Sequence, residues 1–259
     1  MDNTCIAVVG NFKFLYKYFP KFYLNLRSKG EYSGQIVVIT SLFAPLFLIK
    51  FINKKNKVTV LRFKKLKFSN DANSNLNNLQ TGNQPNRHKT KPFQWHKVNL
   101  FNEKIKKWKY VFYLDVNMTI HYNINHILKI KPENKILARS DSYPEFKNNL
   151  SSQFDKTKKQ YNILKNDFNL SKKNYFQTGI LYFDTNIITK KSIEQIINLV
   201  EKYPITLTNE QGILNLYVEK YKIKVEELPI NLEGYISYFY WLIKGEKIII
   251  TKQLKEKYK

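Results

Sequence analysis

Short apolar stretches alternate with amphipathic ones along the chain, and this alternation predicts strands followed by helices. Ile6 to Val9 is a short apolar run that ends at Gly10-Asn11, and the aromatic residues of Phe12 to Leu26 recur at helical spacing. Further strands are predicted at Gln35 to Ile39 and at Lys57 to Leu61. The second is flanked by lysines, which is typical of a strand near a sheet edge. The pattern predicts an α/β fold with a parallel sheet.

The alternation continues through the middle of the chain. A helical pattern over Phe93 to Trp108 leads directly into an apolar run that ends at Asp115. Beyond it we predict one or two helical turns at Ile124 to Leu128, a strand at Lys135 to Ala138, and a turn and strand at Asn174 to Asp184. A helix is predicted at Lys190 to Glu201. Another helix is predicted to start at Thr208, with Gln211 as its capping-box partner. The order again indicates alternating strands and helices.

Two stretches depart from this pattern. Ser69 to Lys91 is polar and low in complexity, and we interpret it as a mobile surface insertion. Lys244 to Lys259 forms a basic C-terminal tail. Neither marks a domain boundary, so residues 1–259 are predicted to form a single domain.

The apolar run ending at Asp115 places candidate chemistry at the end of a strand. Open α/β sheets bind ligands at the carboxyl ends of their strands. Asp115 and Asn117 lie two positions apart and can direct oxygen atoms toward one cation. A metal-bound diphosphate would fit there. The alternative is an ordinary Asp-x-Asn turn.

Charge narrows the classes of ligand without choosing among them. The chain carries 44 Lys and Arg against 20 Asp and Glu, a formal net charge of +24. Such a surface attracts anions, whether nucleic acid, acidic membrane or a nucleotide diphosphate. The lysines are scattered and no compact arginine stripe or nucleic-acid motif accompanies them, so no specific nucleic-acid partner is expected.

The expected setting is intracellular, soluble and reducing. One cysteine, Cys5, excludes an internal disulfide framework, and the first residues lack the basic and apolar regions of a secretory leader. The longest apolar run, Ile36 to Ile49, is shorter than the roughly 20 residues that span a bilayer. That run or the basic tail could contact an acidic membrane peripherally.

Taken together in order, five segments resemble the glycosyltransferases of the GT-A fold, and among them the glycogenin-like family 8 of retaining enzymes. The segments are Val8 to Phe12, Leu26 to Ile39, Trp108 to Met118, Tyr175 to Asp184 and Asn209 to Asn215. The resemblance implies a GT-A, Rossmann-like α/β domain with a mixed, mostly parallel sheet flanked by helices. It also implies transfer of a hexose from a nucleotide-diphosphate sugar, such as a UDP-sugar, to a hydroxyl of a glycan, protein or small polyol.

The resemblance assigns donor-binding roles to several residues. In this family the first strand and turn hold the nucleotide base, which places the base near Val8, Val9, Gly10, Asn11 and Tyr16. A lysine before the Asp-x-Asp segment contacts the diphosphate in relatives, and Lys97 occupies that neighbourhood. The residues alone are equally compatible with two simpler interpretations: Gly10-Asn11 is an ordinary strand-to-helix turn, and Lys97 is a solvated lysine on a helix.

By the same resemblance, Asp115 and Asn117 are the expected ligands of Mn²⁺ or Mg²⁺, which stabilises the charge on the leaving nucleotide. The chain departs from the family twice. Asn117 stands where a second carboxylate is usual, and no histidine follows His126, whereas relatives use a late histidine as a third ligand. Three explanations stay open: the sequence stops before the histidine motif, the metal is held loosely by Asp115, Asn117 and phosphate oxygens, or catalysis is weak or lost. Lysines of the basic tail, Lys244 to Lys259, could supply some of the missing positive charge.

The sugar site is expected on Asp141, Gln177, Glu210 and Gln211, the polar residues of the segments that bind the sugar in this family. Asp141 could equally be a turn acid before Pro144. No nucleophile is assigned. Aromatic side chains near these segments could stack on an acceptor sugar or lie in the core, namely Tyr143, Phe146, Tyr235, Tyr238, Phe239, Tyr240 and Trp241.

Two other functions remain open on the sequence. One is a nucleic-acid or anionic-surface binding protein that uses the net charge of +24. The other is a GT-A domain that only binds or slowly hydrolyses the donor. The oligomeric state is not predicted.

Overall fold

The computed structural model describes residues 3–81, 86–141, 147–253 and 256–257, the last two by their backbone alone. The strands within these residues are β1 (Thr4–Val9), β2 (Gln35–Ser41), β3 (Val58–Phe63), β4 (Tyr110–Leu114), β5 (Thr119–Ile120), β6 (Lys135–Ser140), β7 (Phe176–Asp184), β8 (Lys224–Glu227), β9 (Asn231–Leu232), β10 (Tyr235–Phe239), β11 (Leu242–Ile243), β12 (Ile248–Thr251) and β13 (Glu256–Lys257).

The α-helices are α1 (Phe12–Ser28), α2 (Asn70–Asn77), α3 (Arg87–Thr90), α4 (Asn125–Leu128), α5 (Gln160–Asp167), α6 (Ser192–Lys202) and α7 (Glu210–Lys220). Tighter 3₁₀ segments cover Leu46–Leu48, Lys54–Asn56, Pro92–Phe101, Glu103–Lys107, Leu150–Gln153 and Thr185–Ile187. No helix in the described ranges is both long enough and apolar enough to cross a bilayer.

A seven-stranded sheet in the order β3-β2-β1-β4-β7-β6-β8 forms the centre of the molecule. The strands β3, β2, β1 and β4 run parallel to one another, while β7 is antiparallel to both of its neighbours. This confirms the predicted mixed, mostly parallel sheet flanked by helices. It also confirms that β3 lies at an edge.

The alternation of side chains along each strand separates two cores, one on each face of the sheet. Along β1, Ile6 and Val8 point toward α1, whereas Cys5, Ala7 and Val9 belong to the opposite cluster. On α1 the apolar residues recur every three or four positions, and this stripe packs on the first face. The helices α6 and α7 cover the second face together with the 3₁₀ segment Pro92–Phe101.

Where the sequence predicts a mobile insertion over Ser69 to Lys91, the structure has α2 and α3. Ser69 caps α2 and binds Glu201 of α6 through its hydroxyl at 2.5 Å, while Ala72 and Leu76 are buried. Low complexity therefore did not prevent local order here, because two apolar residues at helical spacing suffice to dock a short helix.

The segment Phe93 to Trp108 also differs from its predicted helix. It forms two 3₁₀ segments, the first beginning at Pro92. Trp95 through Phe101 are all buried, so this first part has no solvent-facing side that would require helical periodicity. The second part is exposed except for Ile105 and Trp108.

The predicted basic tail is partly a strand. Ile248–Thr251 forms β12 in a second sheet of order β5-β12-β10-β9. All four of its residues are buried, because its three isoleucines can be covered on both faces and the hydroxyl of Thr251 hydrogen-bonds to His121. This strand brings the residues that follow it back to the centre of the molecule.

Candidate active site

A cavity of about 750 Å³ opens at the carboxyl ends of β1 and β4, where the sheet was expected to bind a ligand. Nine of the predicted site residues line it, namely Val9, Gly10, Asn11, Lys97, Asp115, Asn117, Gln177, Glu210 and Gln211. Six basic residues are also part of its wall, against two acidic ones, and they are Lys13, Lys17, Arg87, Lys91, Lys97 and Lys252. The cavity therefore suits an anionic ligand.

Lys97 connects the two carboxylates of the cavity. Its ammonium nitrogen lies 3.1 Å from Oδ1 of Asp115 and 3.1 Å from Oε1 of Glu210, and it donates to the carbonyl oxygen of Thr178 at 3.3 Å. Burial alone would lower the pKa of Lys97, but the two carboxylates raise it above its ordinary value. The lysine is thus held charged inside the site and is not the solvated helix lysine that the sequence left open.

Asp115 has partners on both of its oxygens. Oδ1 accepts from the hydroxyl of Tyr113 at 2.5 Å, and Oδ2 accepts from Lys252 at 2.5 Å. Burial would raise the pKa of Asp115, yet Lys97 and Lys252 together hold it well below its usual range. The carboxyl group is therefore ionised throughout the physiological range of pH.

Glu210 begins α7 and is almost completely buried. Oε1 accepts from the hydroxyl of Thr178 at 2.9 Å as well as from Lys97, whereas Oε2 accepts no hydrogen bond within the described part of the chain. A buried carboxylate oxygen that lacks a donor costs free energy unless a ligand supplies one. Glu210 therefore has an acceptor available for a hydroxyl group of a ligand.

The residue before Glu210 has an uncommon backbone conformation. Asn209 has φ 53° and ψ −121°, in a region that favours glycine. Its side-chain amide donates to the carbonyl oxygens of Arg87 and Lys91 and to Oε1 of Gln94. These bonds fix the turn that directs Glu210 into the cavity, and they tie α3 to it.

The predicted capping box at Thr208 is only half present, because the hydroxyl of Thr208 accepts from the backbone N–H of Gly212 at 3.2 Å but Gln211 does not complete the pair. Asn209 occupies the capping position of α7, and Gln211 does not reach back to the backbone of Thr208. Gln211 instead accepts from the backbone N–H of Thr178 at 3.2 Å and donates to Gln153 at 3.0 Å. Tertiary partners thus replace the local one.

Asp141 lies apart from the main cavity. It lines a smaller cavity of about 280 Å³ with Arg139, Ser140, Gln177 and Tyr238 through Trp241. The residue Asp141 as a whole is exposed, but its carboxyl group is partly removed from water, and this raises its pKa above the ordinary value. Hydrogen bonds from Tyr175 and Gln211 act in the opposite direction without cancelling the shift. Gln177 and Tyr240 line both cavities, so the two are adjacent.

At the opposite end of the cavity, two residues that were predicted to bind the base are not part of the wall. Val8 is fully buried in the core, and Tyr16 points to solvent with 60% of its surface exposed. Phe14 and Tyr18 line the cavity instead, with their ring centroids 4.7 Å apart. Both precede a buried residue of α1, so the phase of the apolar stripe in the sequence could have identified them.

Gly10 and Asn11 have structural roles in the same turn. Asn11 caps α1 by accepting from the backbone N–H of Phe14 at 2.8 Å. A Cβ atom on Gly10 would lie 2.7 Å from Cγ of Leu15, so glycine allows α1 to pack closely against the strand. An ordinary strand-to-helix turn and a ligand-binding turn therefore coincide here.

Lys252 is the main site residue that was not predicted individually. Its ammonium nitrogen lies 2.5 Å from Oδ2 of Asp115 and 2.7 Å from Oδ1 of Asn117. The sequence indicated only that lysines of the tail could supply charge.

A divalent cation fits poorly between Asp115 and Asn117. The side-chain oxygens that would bind it already accept hydrogen bonds from Tyr113, Lys97 and Lys252. Across the described ranges, no group of three or more His, Cys, Asp and Glu residues could hold a metal ion. His121 and His126 are paired with Thr251 and Glu233.

The mostly parallel sheet with a cavity at its strand ends has the GT-A fold of solved glycosyltransferases, and the family model identifies the chain as a glycosyltransferase. The chain belongs to glycosyl transferase family 8, whose family model matches residues 12–235. No curated protein sequence matches the chain.

Solved structures agree in fold. The galactosyltransferase LgtC, solved with donor and acceptor sugar analogs, superposes with a TM-score of 0.54 at 10% identity over 82% of this chain and 70% of its own. Mouse xyloside xylosyltransferase 1 superposes with a TM-score of 0.52 at 9% identity over 98% of both chains. The bifunctional glycosyltransferase WbbM gives 0.55 at 13% identity, and the match covers 98% of this chain but only 46% of WbbM.

Proposed function

We propose that this glycosyltransferase moves a hexosyl group from a UDP-sugar to a hydroxyl acceptor with retention at the anomeric carbon. The observation that carries the proposal is the buried pairing of Lys97 with both Asp115 and Glu210 inside a basic cavity. The ammonium group of Lys97 lies between Asp115, beside which we place the diphosphate, and Glu210, beside which we place the sugar. The charge of the chain thereby has a role in binding an anionic donor.

The nucleotide is assigned to the end of the cavity formed by β1 and α1. Phe14 and Tyr18 offer aromatic surfaces beside the cap residue Asn11. Aromatic rings stack readily on nucleobases. Backbone groups at Val9 and Gly10 lie within reach of the same space because both residues line the cavity.

The sugar is assigned to the end formed by β7 and α7. Oε2 of Glu210 is available as an acceptor for a sugar hydroxyl, and Gln177 and Gln211 line the same wall. A Cβ atom at Gly179 would lie 3.2 Å from Cε of Met118 and 3.4 Å from Oδ2 of Asp115, so glycine keeps the wall beside Asp115 uncrowded. The unusual backbone at Asn209 supports a site that is held rigidly before the donor binds.

The acceptor is assigned to the smaller cavity next to Gln177. Tyr240 and Trp241 contribute aromatic surface to its wall, and Asp141 contributes a carboxyl group. Tyr238 is buried, and Tyr143 and Phe146 lie outside the described residues. An acceptor hydroxyl entering from this side would meet the donor sugar near Gln177.

In the transfer, the bond between the anomeric carbon and the donor phosphate breaks and a bond to the acceptor oxygen forms. The acceptor proton passes to the leaving diphosphate in a front-face route, or the enzyme forms a covalent intermediate first. No nucleophile is assigned. The resemblance predicts Mn²⁺ or Mg²⁺ at Asp115 and Asn117, but lysines engage the oxygens there, and the proposed transfer uses no step on a metal.

The test is release of UDP from a panel of UDP-sugars, including UDP-galactose, UDP-xylose and UDP-glucose, with candidate sugar and polyol acceptors. Mass spectrometry of the acceptor establishes transfer, and the anomeric configuration of the product reports retention. UDP release without a modified acceptor indicates hydrolysis and overturns the transfer step. Failure of every UDP-sugar to bind in calorimetry overturns the donor assignment.

A further inference from the structure

The space that a divalent cation would take beside the Asp115 turn is filled by a side chain of this protein. The ammonium nitrogen of Lys252 lies 2.5 Å from Oδ2 of Asp115 and 2.7 Å from Oδ1 of Asn117. These are the oxygens that the sequence offers to a metal. The side chain of Lys252 is 19% exposed and lines the donor cavity, so it is enclosed but accessible to a ligand.

The position of Lys252 is set by backbone pairing. Lys252 directly follows β12, whose residues Ile250 and Thr251 pair with Ile120 and Thr119 of β5. The strand β5 comes immediately after the segment Asp115 to Met118. One short ladder therefore fixes both the lysine and the turn that it contacts, and the hydroxyl of Thr251 adds a 2.9 Å hydrogen bond to His121.

The charges of Lys252 and Asn117 match each other. Two carboxylates and a divalent cation form a neutral group, and so do one carboxylate, one amide and one ammonium. The single positive charge of Lys252 is balanced by the carboxylate of Asp115 alone, and the neutral Asn117 is consistent with this balance. An ammonium has three protons to donate, and two are directed at Asp115 and Asn117, which leaves one for the cavity.

We propose that Lys252 replaces the divalent cation, donates directly to the diphosphate of the donor and makes nucleotide binding and sugar transfer independent of metal. Lys97 supplies a second positive charge, 3.1 Å from the other oxygen of Asp115. Together the two ammonium groups stabilise the charge that develops on the leaving diphosphate. This inference rests on the proposed nucleotide-sugar function.

The test is calorimetric titration with UDP in EDTA and again in Mn²⁺, for the wild-type chain, Lys252→Met and Lys247→Met. Wild type is expected to bind UDP equally well in both solutions. Lys252→Met is expected to bind about 10- to 100-fold more weakly, the value of a charge-assisted hydrogen bond. Lys247 precedes the same strand outside the cavity and contacts the ring of Tyr235, so Lys247→Met is expected to retain wild-type affinity.

A double variant, Asn117→Asp with Lys252→Met, restores the acidic pair and removes the lysine. We expect its UDP binding to become dependent on Mn²⁺. Wild-type binding that requires Mn²⁺ would overturn the inference and leave the proposed function standing. Absence of UDP binding in both solutions would overturn the proposed function as well. The wild-type comparison decides the question even where a variant fails to fold, and thermal melts identify such a variant.

Discussion

The ammonium nitrogen of Lys97 lies 3.1 Å from Oε1 of Glu210, so the 3₁₀ segment before β4 and the first residue of α7 meet inside the donor cavity. Lys97 and Glu210 are buried, and Asp115, whose side chain is 20% exposed, completes the charged group. Buried charges of this kind persist only when each is paired. The relationship therefore affects both stability and ligand binding.

Lys97→Met should destabilise the fold. The substitution leaves Glu210 as an uncompensated buried charge and deprives Asp115 of one of its two cations, which should lower the free energy of unfolding by about 3 kcal/mol. UDP affinity should also fall. Urea unfolding followed by fluorescence, with calorimetry on the folded fraction, measures both effects. Lys89→Met, at an exposed position of α3, is the matched control, and equal stability of the two variants would contradict the argument.

Glu210→Gln should separate sugar binding from nucleotide binding. The amide keeps the shape of the side chain but lowers the strength of the hydrogen bond that Oε2 can accept, so kcat/KM should fall about 100-fold, or roughly 2.7 kcal/mol. Affinity for UDP, which lacks the sugar, should change much less.

The control for this substitution lies on the same helix. Glu219 is at the far end of α7 and accepts from the backbone N–H of Asn169, so Glu219→Gln should leave kcat/KM near the wild-type value. Comparable losses of UDP and UDP-sugar affinity in Glu210→Gln would show that Glu210 acts through the structure of the site and does not contact the sugar.

Tyr18→Ala and Tyr16→Ala test the placement of the nucleobase. Tyr18 lines the cavity and Tyr16 is 60% exposed on another side of α1. Loss of a stacking ring should raise the Kd for UDP about tenfold in Tyr18→Ala. Tyr16→Ala should bind UDP like the wild type. Calorimetry measures the Kd of both variants. A larger loss of UDP affinity in Tyr16→Ala than in Tyr18→Ala would indicate that the base binds beside Tyr16, as the resemblance implies.

The central sheet was predictable because its information is local. The apolar runs of β1, β2, β3 and β4 are each local in sequence, and strand ends of a parallel sheet meet at one edge. This brought Asp115, Gly10 and Asn11 together without any knowledge of long-range contacts. Glu210 and Gln177 were identified through the resemblance to family 8.

The errors occurred where partners distant in sequence decide the structure. Gln211 has a local capping partner available, yet Thr178 and Gln153 bind it. On α1 the sequence already carries the phase of the apolar stripe, and it places Phe14 and Tyr18, but not Tyr16, at the wall of the cavity. Lys252 reaches Asp115 because β12 pairs with β5, and a run of three isoleucines inside a basic tail does not show which strand it pairs with.

Asp155→Asn should weaken the attachment of the segment after α2 in a pH-dependent way. Asp155 is buried, and it accepts from the backbone N–H of Gln80 at 2.7 Å and from both the N–H and the hydroxyl of Thr157. Burial raises the pKa of this carboxyl group, but the hydrogen bonds outweigh burial and lower the pKa below its ordinary value. The carboxylate form is therefore the stabilising one.

Because the folded-state pKa of Asp155 is depressed, its contribution is complete above the unfolded-state pKa of about 3.9 and is lost as pH falls through the folded-state value. At pH 7 the variant should unfold with a free energy lower by about 1 to 2 kcal/mol, and the amide of Gln80 should exchange faster with deuterium. The difference from wild type should shrink in urea titrations at roughly pH 3.

The control is Asp71→Asn, at an exposed position of α2, which should change the free energy of unfolding by a few tenths of a kcal/mol at most. A gap for Asp155→Asn that stays constant from pH 7 to pH 3 would mean that shape at this position, and not the charge of the carboxylate, holds the segment in place.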